Sequence, residues 1–122
     1  MKGKVIFRLK ANSIRDSEIF YCRDLEFFDF YQDYGMGTIS LVAKDHPGFM
    51  LLLITGDAIY TDDYLFELGT NDCSSLFSKL KQKTFETTGC LLSTTVFEYP
   101  LGKSIALCDP SGNKFLLFED IY

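Results

Sequence analysis

The 122-residue chain has one histidine, no tryptophan and no long uninterrupted hydrophobic run. Each shortage excludes something. The single imidazole, His46, falls in the turn Asp45-His46-Pro47-Gly48, where a solvated side chain is expected. Catalysis by Ser-His or Cys-His pairs therefore lacks its base unless His46 folds inward. The opening MKGKVIFRLK has an apolar run broken at Arg8 and Lys10, which fits neither a signal peptide nor a membrane span. Cations are also scarce: 12 Lys and Arg against 17 Asp and Glu give a net charge of −5. A chain so poor in basic residues is not expected to neutralise phosphates, so neither nucleic acid nor membrane is an expected partner. Of the four cysteines, Cys22, Cys73, Cys90 and Cys108, no two lie at metal-finger spacing. With no secretory signal, reduced and mostly buried thiols in a cytoplasmic protein are expected.

What the chain does have is apolar and aromatic bulk: 47% hydrophobic residues, 12 Phe and 7 Tyr. That composition suits one globular domain over residues 1–122. Within it a short pattern occurs twice, as Phe7-Arg8-Leu9-Lys10-Ala11-Asn12 and as Phe66-Glu67-Leu68-Gly69-Thr70-Asn71. Phe, Leu and Asn are kept; the residues between them change. Alternation across Val5–Ala11 and Tyr64–Thr70 predicts strands. Ser13 followed by Asp16 predicts a helix start, with the helix running to about Arg23. Asn71 and Asp72 cap a second helix, predicted over SSLFSKLKQKTF, and Thr88-Gly89 ends it. Strands are predicted at Phe27–Asp33, Gly37–Ala43 and Phe49–Thr55 in the first half. In the second half they fall at Leu91–Tyr99, Lys103–Cys108 and Lys114–Phe118, with Asp109-Pro110-Ser111-Gly112 as the last tight turn. Both halves thus read as a βαβββ module, about 4–56 and about 63–120. The kept Phe and Leu mark the face toward the helices.

This paired module resembles the vicinal oxygen chelate superfamily, which holds glyoxalases, bleomycin resistance proteins and extradiol dioxygenases. The resemblance rests on Tyr99-Pro100-Leu101-Gly102 followed by Asp109-Pro110-Ser111-Gly112-Asn113, on Phe20-Tyr21 late in the first helix, and on Leu76-Phe77-Ser78-Lys79-Leu80 in the second. It implies an α+β fold: two tandem βαβββ modules form curved mixed sheets around a cleft, with helices outside. It also implies a homodimer with the ligand near the contact between modules.

Enzymes of that superfamily usually hold a divalent ion with His, Gln or Glu on the first and last strand of each module. Carried onto this sequence, those places are Ile6, Leu65 (or Phe66), Leu116 and one of Met50 to Leu53, all hydrocarbon or thioether. No metal, cofactor or catalytic residue is therefore expected. By alternation, the cleft receives Ile6, Arg8 and Lys10 from the first module and Leu65 and Glu67 from the second. The last strand adds Lys114, Leu116 and Phe118. Arg8 and Glu67, at matching places, are expected either to pair with each other in a solvated groove or to hold a ligand. One set of aromatics from Phe27 to Tyr31 faces the cleft, and the acidic linker Asp57–Asp63 is either a solvated loop or a rim to it. Glu119 reads as a surface acid at a strand end. The expected function is metal-free binding of a small molecule, aromatic or cationic, in the manner of bleomycin resistance proteins. The alternatives are a metal-dependent lyase, isomerase or dioxygenase, and an interaction domain whose cleft is filled by its own side chains.

Overall fold

The computed structural model describes residues 3–58 and 61–120; Met1, Lys2 and the Ile59-Tyr60 part of the predicted linker lie outside it. β1 (Val5–Ala11), α1 (Ile14–Ile19), β2 (Phe28–Gly35), β3 (Thr38–Ala43) and β4 (Phe49–Thr55) make the first module. The second contains β5 (Glu67–Gly69), α2 (Cys73–Gln82), β6 (Cys90–Leu91), β7 (Phe97–Tyr99), β8 (Gly102–Cys108) and β9 (Lys114–Asp120). Each module builds its own sheet, in the orders β1-β4-β3-β2 and β5-β9-β8-β6, with β7 also on β8. In both, the first strand lies parallel to the last and the remaining neighbours are antiparallel. The α+β architecture of two βαβββ modules expected from the repeat is the one observed.

The repeat also orients its strands as alternation requires. Leu9 and Ala11 are buried and Phe7 packs against the core, while Ile6, Arg8 and Lys10 are exposed. The core is shared by both modules. Phe115, fully buried, stacks on Phe66 at 4.7 Å between ring centres and lies within ring contact of Phe20 and Tyr21.

The first helix begins as the sequence predicts, with Ser13 Oγ accepting the Asp16 amide. Its end differs: beyond Ile19 the chain widens into a π-turn over Phe20–Asp24, closed by Leu25 N–H donating to Phe20 O. The wider turn lets consecutive Phe20 and Tyr21 both point inward, each fully buried. Asp24, also buried, accepts the Glu86 and Thr87 amides and the Thr87 hydroxyl, tying this turn to the second module. A Cβ at the buried Gly89 would meet the Phe20 ring, so only glycine lets the chain pass there.

Three predicted elements are shorter than expected. The second helix stops at Gln82 because Lys83 turns extended. Its ammonium donates to Arg23 O and Glu26 of the first module, and Phe85 leaves the helix to pack beside Phe20. The strand expected over Leu91–Tyr99 is two, β6 and β7. Leu92 and Ser93 amides share one carbonyl, Ala106 O, while Ser93 Oγ takes the Ala106 amide, which interrupts the ladder. Of Tyr64–Thr70 only Glu67–Gly69 forms a strand, although Leu65 and Thr70 amides bond to Lys114 O and Phe118 O on either side.

Glu119 is not the surface acid expected. Its carboxylate accepts the Cys73 amide at 2.7 Å and gives α2 a second cap beside Asp72, which accepts from Ser75. No helix among the described residues is long and apolar enough to cross a membrane.

Cysteine burial also departs from expectation. The four thiols are free, but only Cys73 is buried and Cys90 is exposed. Burial pushes Cys22 up to about 12, helped by the carboxylates of Glu18 and Asp29, and burial raises Cys73 as well. Because the thiolate is the nucleophile, iodoacetamide under mildly alkaline conditions is expected to label Cys90 first. Cys22 and Cys73 should react only when the protein unfolds, as read by mass spectrometry of timed samples.

Candidate functional site

Residues paired across a ladder share a face of the sheet, so the registers define the surface opposite the helices. In the first module one row runs Ile6, Met50, Val42, Asp29; the next runs Arg8, Leu52, Ser40, Gln32; the third runs Lys10, Ile54, Thr38, Gly35. In the second module Glu67, Leu116 and Ala106 form a row, and Phe118, Ser104 and Phe97 the next. Lys114 lies on the same face opposite Cys108, with its carbonyl holding Leu65. All eight residues selected from the sequence therefore fall on this face: Ile6, Arg8 and Lys10 on one sheet, and Leu65, Glu67, Lys114, Leu116 and Phe118 on or beside the other.

The structure does not bring Arg8 and Glu67 together; among the described residues they form no ion pair. The strand edges meet at Phe7 and Phe66, 4.9 Å between ring centres. Gly3 and Val5 border a cavity with residues 67–71, whereas Lys10 O is bonded to Asn113. The two strands thus pass each other in opposite directions, and residues just beyond the contact diverge.

Each half of the face carries aromatic side chains. On the first, a groove of about 280 Å³ is walled by Ile6, Tyr31, Tyr34, Met50 and Leu52. Two breaks in the β2–β3 register, after Phe30 and after Asp33, leave Tyr31 and Tyr34 as extra residues. Both line the groove, and the Tyr34 and Ser40 hydroxyls stand 3.0 Å apart. Among the aromatics from Phe27 to Tyr31, it is Tyr31 that reaches this groove, while Phe28 is buried in the core. On the second half, Phe97, Tyr99 and Phe118 form a continuous tier, with ring centres 5.4 and 5.9 Å apart. Desolvation, followed by the carboxylates of Glu67 and Asp120, raises the Tyr99 phenol above its usual range, so it stays protonated and able to donate. Sequence reasoning missed Tyr34 and Tyr99; alternation cannot locate residues displaced by a register break.

The positions that the superfamily resemblance assigns to metal do not fit one. Ile6 stands beside Met50, and Leu116 beside Glu67. Among the described residues no three His, Cys, Asp or Glu side chains gather where an ion could sit. A cavity of about 760 Å³ opens elsewhere, on the helix side of the junction between modules.

No protein-family model matches the chain, and no curated protein matches it. Solved structures do. The antibiotic binding protein TnmS3 from Streptomyces sp. CB03234 is similar over 98% of this chain and 97% of its own, at a TM-score of 0.77 and 17% identity. UcmS2 is similar over 94% and 96%, at a TM-score of 0.76 and 17% identity. A member of the glyoxalase/bleomycin resistance protein/dioxygenase superfamily from Sphaerobacter thermophilus DSM 20745 matches over 96% of both chains, at 0.74 and 17%. The chain therefore has the fold of that superfamily over essentially its whole described length. At this identity the likeness is one of fold.

Proposed function

We propose that this protein binds a flat aromatic small molecule, neutral or cationic, on the face opposite its helices, and performs no metal-dependent chemistry on it. The observation that carries the reading is the pairing of an aromatic-walled groove at Tyr31 and Tyr34 with the aromatic tier at Phe97, Tyr99 and Phe118. Hydrocarbon stands where a metal enzyme of this fold would place ligands. Aromatic walls reward flat ligands through area and ring geometry. Ile6, Leu116 and Phe118 supply apolar contact; Glu67 and the Tyr99 hydroxyl supply polarity; Arg8, Lys10 and Lys114 rim the face, with Leu65 at its edge. The antibiotic-binding description of one structural neighbour supports the same class. The reading includes a homodimer, in which a second copy covers the exposed Ile6, Tyr31 and Phe97, and a cytoplasmic setting.

Thermal-shift screening against planar aromatic antibiotics, with and without Ni, Mn and Zn, tests it. A melting temperature raised by aromatic compounds alone is expected, and Tyr34→Ala should weaken the best of them by about tenfold. A rise that requires metal points instead to the lyase, isomerase or dioxygenase alternative, and no rise at all removes the binding reading. Light scattering on the same samples should give twice 13.9 kDa.

A further inference from the structure

The two modules meet at two junctions that the internal repeat makes equivalent, and the chain fills only one. Arg8 faces Leu52 as Glu67 faces Leu116; counting back seven residues from each partner reaches Asp45 and Asp109, both opening the turn before the last strand of their module. Tyr21 is the eighth residue after its helix cap Ser13, and Leu80 the eighth after its cap Asp72.

At the filled junction the Tyr21 ring is fully buried and its hydroxyl donates to Asp109 Oδ2 at 2.9 Å. Asn113 Nδ2 bridges Asp109 to Lys10 O, and Ser111 Oγ accepts the Asn12 amide. At the other junction the residue equivalent to the tyrosine is Leu80, which is buried in the core and does not line the opening there. It is shorter and has no hydroxyl. Asp45 is exposed, and its carboxylate has no hydrogen-bond or ion partner among the described residues. Between the Asp45 turn, the start of β1, the end of β5 and α2 lies the cavity of about 760 Å³. Phe27, Phe49, Leu68 and Leu76 wall it, and Asp45 and Asn71 stand at its border. A volume of that order holds a drug-sized molecule.

We propose that this open junction is a second ligand site, adjoining the face opposite the helices at Glu67, for an aryl compound carrying a hydroxyl donor. The ligand ring packs against Phe27, Phe49, Leu68 and Leu76. Its hydroxyl donates to Asp45 as the Tyr21 phenol donates to Asp109. The aromatic wall supplies affinity for the ring. The unpartnered carboxylate selects a donor, because a hydrogen bond to a charged group is among the stronger neutral-ligand contacts.

The test uses p-cresol, which is the tyrosine side chain as a free molecule, with toluene as its hydroxyl-free counterpart. Amide chemical shifts of the full chain are followed during titration with each. Binding of p-cresol should move residues 45–49 and 68–76, and p-cresol should bind more tightly than toluene. Asp45→Ala, a change at an exposed side chain, should weaken p-cresol about tenfold and leave toluene unchanged. Leu76→Trp, which fills the cavity, should abolish both. The proposal is overturned if p-cresol moves only residues of the opposite face or nothing at all. It is overturned equally if toluene matches p-cresol, or if Asp45→Ala leaves p-cresol binding intact.

Discussion

Asp109→Ala is expected to lower stability by about 3–5 kcal/mol, seen as a reduced denaturant midpoint at unchanged slope. The carboxylate accepts from the Tyr21 hydroxyl, the Ser111 and Asn113 amides and Asn113 Nδ2. Its removal leaves the fully buried Tyr21 phenol and the buried Asn113 backbone N–H without partners, which is costlier than losing an exposed pair. Tyr21→Phe removes one donor and keeps the ring, so a loss of about 1–2 kcal/mol is expected. The double variant should cost less than the sum, because the two groups act on each other.

The pH dependence at this junction has a definite sign. Burial raises Asp109 above the ordinary carboxylate value of 3.8, against the pull of the hydrogen bonds from Asn113, Tyr21 and Ser111. A raised folded value means that the proton-linked part of its contribution is fully present below the unfolded value and is lost as pH rises through the folded one, while the hydrogen bonds it accepts remain. Burial, and then the Asp109 charge, raise the Tyr21 phenol well above 10.0. By the same sign its contribution is kept up to the ordinary phenol range and disappears in stronger alkali, where the unfolded chain ionises first. Unfolding midpoints measured across the alkaline limb should therefore fall more steeply for the wild type than for Tyr21→Phe.

The second large effect is expected from Phe115→Ala, at about 3–5 kcal/mol. The ring is fully buried, stacked within 5° of parallel on Phe66, and edge-on to Phe20. Alanine would leave a cavity where β9, the approach to β5 and α1 converge, and rigid neighbours relax only partly into it. Phe115→Leu should cost roughly 1–2 kcal/mol, since most of the volume is kept. Equilibrium denaturation of the three proteins checks the order. If leucine costs as much as alanine, the ring and its stacking on Phe66, not the filled volume, carry the joining of the modules.

Much of this fold is written in short-range chemistry. The kept Phe and Leu of the repeat point inward because side chains alternate on a strand, and the same rule placed Ile6, Arg8, Lys10, Leu116 and Phe118 on one surface. Ser13 and Asp72 announced their helices, and the Asp109 turn closes as its Pro and Gly require, with Gly112 at φ 94°. Features that depend on two distant segments were not legible. Tyr31 and Tyr34 reach the groove through register breaks that no periodicity reveals. Glu119 caps a helix 46 residues away. Of the two readings of Arg8 and Glu67, mutual pairing is not made among the described residues, because β1 and the approach to β5 pass each other and diverge beyond the Phe7–Phe66 contact. The open junction is visible only once the exposed Asp45 turn is compared with the Asp109 turn, whose carboxylate accepts from Tyr21.

Each module closes its own sheet, and among the described residues no strand-to-strand hydrogen bond crosses between the two sheets. What joins the halves is a single connecting peptide, buried ring contacts and a few side-chain clasps. Such a chain is well suited to fragment complementation. Cut within the connecting peptide, its two pieces each keep every ladder they need and should recombine, with the Asp24 and Asp109 clasps as the fasteners of the rejoined molecule.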